Sequence, residues 1–130
     1  MNSVHLAVAS GALAMALVAG SAVADNISEV KVEASRIVTS TPSGRTSSGI
    51  PVVNLSLTYG VSLADLDLST HTGATEAMRR VNAAADSACK ELGRQYPDAT
   101  PDDKQCAKAA SDKAMIVLNK AIRGAEQARK

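Results

Sequence analysis

Hydrophobic and polar positions alternate along Val30 to Ser35, with Val30, Val32 and Ala34 on one side and Lys31, Glu33 and Ser35 on the other. Such alternation in a β-branched stretch predicts a half-buried strand over Asp25–Val38. The pattern returns from Ile50, where Leu55, Leu57, Tyr59, Val61 and Leu63 alternate with Asn54, Ser56, Thr58, Gly60 and Ser62. At Ala64 the phase flips, since Leu66 and Leu68 become the apolar positions; a one-residue slip exchanges the two faces, so the strand must end, bulge or turn there. The period then lengthens. Ala74, Ala77, Met78, Val81, Ala84, Ala85, Ala88 and Leu92 are three and four apart and predict one helix. Cys106, Ala107, Ala110, Ala114, Val117, Leu118 and Ala121, widened by Met115, Ile116 and Ile122, predict a second.

The punctuation fits these elements. Ser69, Thr70 and Thr72 offer caps for the first helix, and Gly93 offers a stop. For the second, Thr100 is placed to cap, Pro101 suits the first helical position, and Asp102 and Asp103 complement the helix dipole. The loop 93–100 is short enough to fold the helices back antiparallel. A two-stranded hairpin is marginal alone and needs a helix on it. The expected fold is therefore α+β: a two-stranded β element (residues 25–38 and 50–63) packed on an antiparallel helical hairpin.

Residues 1–24 stand apart. Leu6–Val23 is apolar or small and ends in Ala22-Val23-Ala24, which reads as a signal peptide cleaved before Asp25 rather than as a stable membrane anchor. Thr39–Gly49 (TSTPSGRTSSG) reads as a flexible loop. The domain itself is expected over 50–123, with 124–130 a frayed tail.

Composition narrows the function. The chain has 130 residues, 14 Lys+Arg and 13 Asp+Glu, with a net charge of +1, and none of those charges falls in residues 1–24. Tyr59 and Tyr96 are its only aromatics. Neither a basic surface nor stacking platforms for nucleic acid are present in this composition. The core must be built largely from alanine, which buries little area per residue. Two cysteines, Cys89 and Cys106, in an exported chain predict one structural disulfide, contributing about 3 kcal/mol on the chain-entropy model.

Candidate chemistry is sparse. Asp65 and Asp67, with His71 nearby, form the one weak carboxylate set for a divalent metal ion; thiolate-held zinc needs more soft ligands. No nucleophile elbow, H-E-x-x-H or phosphate-cradling glycine motif is present in the sequence. The cysteines lack the close C-x-x-C spacing of thiol oxidoreductases. No enzymatic activity and no cofactor are expected.

The order of these features resembles the UrcA family of small exported bacterial proteins: a strand ending near Tyr59, Asp65-Leu66-Asp67-Leu68-Ser69, Gly73-Ala74, Arg79/Arg80, Ala84-Ala85, Cys89, a short loop, then Cys106 with alanine-rich sequence to Val117 and Ala121. The likeness covers about Ile50–Ile122. It implies a periplasmic or secreted protein with a paired-cysteine helical hairpin and, by the family's name, an association with heavy-metal stress; it brings no catalytic or ligand residue. The expected function is a non-catalytic structural or interaction protein of the cell envelope, acting through a protein partner or self-association. The alternative is weak metal-ion binding or sequestration through the carboxylates at the strand–helix junction.

Overall fold

The computed structural model describes residues 27–39 and 52–130. The cleavage site before Asp25 and the loop 40–49 lie outside the described residues. Strand β1 (Glu29–Thr39) pairs antiparallel with β2 (Val52–Ser62) along the full length of both, Val32 opposite Tyr59 and Arg36 opposite Leu55. Helices α1 (His71–Gln95) and α2 (Asp103–Ala128) follow and form the second layer. The arrangement is α+β, with a Cys89–Cys106 disulfide joining the helices at a Cα–Cα distance of 5.8 Å.

The strand alternation decides which face is covered. Val30, Val32 and Ala34 are fully buried beneath the helices, with Val61 and Leu63 beside them. On β2 the same face is only half-buried at Leu55, Leu57 and Tyr59. The difference follows from where the helices lie. α1 contacts both strands, whereas α2 contacts β1 and α1 and does not reach β2. β2 ends at Ser62, and the phase flip becomes a turn in which the Leu66 amide donates to the Leu63 carbonyl. Leu63 and Leu68 are buried on either side of it.

The helical interior is lined by alanine. Ala77, Ala85 and Ala88 on α1 meet Ala107, Ala110 and Ala114 on α2, with Val81, Leu92 and Leu118 as the larger fillers. Thr70 caps α1, its hydroxyl accepting from the Gly73 amide at 3.1 Å. Gly73 is required there, because a Cβ would collide with the Asp67 carbonyl.

Four expectations are corrected. α1 does not stop at Gly93 but continues to Gln95. Gly93 is instead a space-maker: a Cβ there would strike the Asp103 carboxylate and lie 3.3 Å from Arg36 Nη2. Gly93→Ala should therefore cost about 1 kcal/mol in chemical denaturation, because overpacking of 1–3 kcal/mol outweighs the gain in helix propensity. Thr100 does not cap α2; its backbone exchanges two hydrogen bonds with Ile37 (2.7 and 2.9 Å), and Asp102 caps instead, accepting from the Gln105 amide at 2.8 Å. Val117 and Ile116 do not join the core: they are 44 % and 72 % exposed, because α2 packs on β1 and α1 alone and buries only a narrow stripe. Finally, α2 runs past Gly124 to Ala128, beyond the point where the sequence suggested a frayed tail.

Candidate functional site

The strand–helix junction holds the three metal candidates, and it holds them in separate roles. Asp65 accepts two hydrogen bonds from Arg80, Nη1 to Oδ1 at 2.7 Å and Nη2 to Oδ2 at 2.6 Å. Arg80 also donates to Glu76 at 3.0 Å and to the Ser62 carbonyl at 3.0 Å, tying the end of β2 to α1. Asp67 accepts from the Ser69 amide and hydroxyl (3.0 and 2.6 Å), a turn that presents Thr70 as the cap. His71 is the exposed first residue of α1. The segment is turned rather than extended. Among the described residues no group of three His, Cys, Asp or Glu side chains is disposed to hold a metal ion.

These pairings hold the carboxyls in their charged form. Hydrogen bonds from Arg80 lower the pKa of Asp65, and those from Ser69 lower that of Asp67. Glu76, which accepts from both Arg79 and Arg80, is lowered from 4.5 to about 2. A depressed carboxyl stabilises the fold above its unfolded value, and that contribution is lost as pH falls through the folded value. The melting temperature should accordingly fall between about pH 4.5 and pH 2. Glu76→Gln should flatten that part of the profile, measured by thermal melting across the pH series.

Arg36, which the sequence analysis passed over, sits at the opposite end of the molecule. Continued alternation from Val30, Val32 and Ala34 puts it on the inner face of β1, where it is 3 % exposed. Its Nη2 donates to the Cys89 carbonyl at 3.0 Å and pairs with the Asp103 carboxylate, and its Nη1 lies 3.4 Å from the Ala99 carbonyl. Nε is buried and meets no acceptor among the described residues. Arg36 thus joins β1, the disulfide turn and the start of α2. It floors an open groove of about 920 Å³ rimmed by Lys90, Arg94 and Lys104 and by Asp98 and Asp102. Cations and carboxylates interleave around that rim, so it presents no strong field of either sign.

The remaining feature is an edge. β2 carries no charged side chain and no proline from Val52 to Ser62, and among the described residues it pairs only with β1. Val52 and Val53 at its start are about half exposed, as is Ile37 across the ladder. Long, uncharged and unpaired edges are templates for another strand.

Comparison with protein-family models, with curated proteins and with solved structures finds no match. The resemblance to the UrcA family stays with the residues that carry it. The disulfide fits an oxidising, extracytoplasmic location. Among the described residues no helix is long and apolar enough to cross a membrane.

Proposed function

We propose that this is an exported, non-catalytic interaction protein of the cell envelope, periplasmic or secreted, that engages a protein through the open edge of β2. The observation that carries the reading is the strand itself: eleven residues without a charge, half-buried on the inner face, on a scaffold stapled by a disulfide. Backbone groups along such an edge supply affinity, and alternate side chains supply selectivity. The stress association implied by the family resemblance is part of this proposal.

The test is photo-cross-linking in cells from a reactive side chain placed at Asn54, which is exposed on β2, and at Lys108, exposed on α2. A discrete protein adduct from position 54 and none from 108 is the expected result; the reverse, or adducts from neither, sinks the reading. Divalent metals should leave the melting temperature unchanged. A metal-dependent rise lost in the Asp65→Ala, Asp67→Ala variant would replace this function with metal binding.

A further inference from the structure

The ladder between β1 and β2 fixes which backbone groups remain for a partner. The Leu63 amide donates to the Ser28 carbonyl at 2.8 Å, so the odd-numbered residues of β2 point their N–H and C=O groups at β1. The even-numbered ones, from Val52 to Ser62, point outward. Only registers that place even residues opposite even residues can therefore bond a second β2 antiparallel to the first.

The sequence of β2 is nearly symmetric about its midpoint, Leu57. Reversed onto itself, Val53 falls opposite Val61, Leu55 opposite Tyr59 and Leu57 opposite Leu57, all on the inner face. On the outer face Asn54 meets Gly60 and Ser56 meets Thr58, with no like charges opposed. This register satisfies the even-to-even rule and uses the whole strand. It also places the half-buried Leu55, Leu57 and Tyr59 of each chain beside those of the other, where a neighbouring strand would complete their burial.

The helices leave room for it. α1 packs on both strands, so its axis projects between them, about one strand spacing of ~4.8 Å from a dyad at the new seam. Two α1 helices would then lie ~10 Å apart, an ordinary packing distance. The helical stripe of α1 in line with Arg80, which reaches the Ser62 end of β2, continues through Ala84 and Ser87. Both are small enough to face a copy of themselves. α2, which does not reach β2, stays clear.

We propose that the partner at this edge is a second copy of the chain: β2 pairs antiparallel with β2 about a two-fold axis at Leu57, giving a four-stranded sheet covered on one face by four helices. This deepens the interaction reading above and rests on it. A two-fold contact of this kind is isologous, each side offering the same residues.

Sedimentation equilibrium on the protein expressed from its full sequence, in the form that cells yield, tests the pairing. Wild type should be a dimer. Ser56→Lys with Thr58→Lys sets lysine opposite lysine twice across the seam and should raise the dissociation constant about tenfold. Ser56→Glu with Thr58→Lys sets glutamate opposite lysine in this register alone and should preserve the dimer. In registers centred on residue 56 or 58 it would set like charges opposite each other. All of these side chains point away from the core, and matching melting curves would establish that each variant folds. A monomeric wild type overturns the pairing, as does equal weakening by both variants. The two proposals fail separately: an adduct from position 54 to a different protein removes self-pairing and leaves the interaction reading standing, whereas no adduct at all removes both.

Discussion

Replacing Asp103 by alanine should cost about 2–3 kcal/mol, although 54 % of that side chain is in water. Its partner Arg36 is not in water. Without the carboxylate, a buried guanidinium keeps only the Cys89 and Ala99 carbonyls as acceptors. Removing one member of a fully buried pair typically costs 3–5 kcal/mol; the open groove beside this one lets water screen part of the loss. The opposite substitution should be milder. Arg36→Met keeps most of the volume, removes an Nε that has no acceptor among the described residues, and leaves Asp103 solvated at the start of α2, where the helix dipole favours it. Its expected cost is below about 1.5 kcal/mol, since hydrophobic replacements of buried ion pairs are often near neutral. Urea denaturation of the two variants measures the order. If Arg36→Met proves the more damaging, the guanidinium's bonds to the two carbonyls matter more than the cost of burying it.

Reducing the Cys89–Cys106 bond should lower stability by about 3 kcal/mol and the melting temperature by roughly 10–20 °C. The loop it closes spans a sequence separation of 17. In a domain with a leucine- and aromatic-rich core such a loss is one contribution among several. Here the interface between α1 and α2 is made of alanines, with Leu118 and Leu92 the large side chains at it, so the staple is a large part of a total of about 5–15 kcal/mol. Thermal melts with and without reductant, against a Cys89→Ala, Cys106→Ala control, measure it. An unchanged melting temperature would mean that the alanine interface suffices. The loss should not simply add to that of Asp103→Ala, because Arg36 bonds the carbonyl of Cys89 itself.

How much of this was legible in the sequence depends on whether a residue's position was set by periodicity or by a neighbour distant along the chain. The strand pair and both helices follow from spacing alone, and the cysteine pairing from there being two cysteines in a chain read as exported. Arg36 obeyed the spacing too, and was missed because a charged residue at an inward position looks like the end of a pattern rather than part of it. The true role of Gly93 could not be read locally, since what occupies the space beside it is Asp103, ten residues away across a turn. Thr100 was a sound cap by residue type, but Ile37 took its backbone and Asp102 inherited the task. The Asp65–Asp67–His71 cluster was adjacent on paper only: Arg80, in the third turn of α1, claims the first carboxylate, and a turn claims the second.

The bridge between Ile37 and Thr100 has a consequence for assembly size. It lays a short piece of the interhelical loop along the outer side of β1 at Ile37, so that end of the edge is obstructed within the chain itself, while the exposed Lys31 and Glu33 put charge on the rest. A molecule with two open sides could add copies indefinitely and grow into a fibre. A molecule whose second side is blocked at one end and charged along the rest favours a single mate. The same few residues that turn α1 into α2 would thus favour two copies over many.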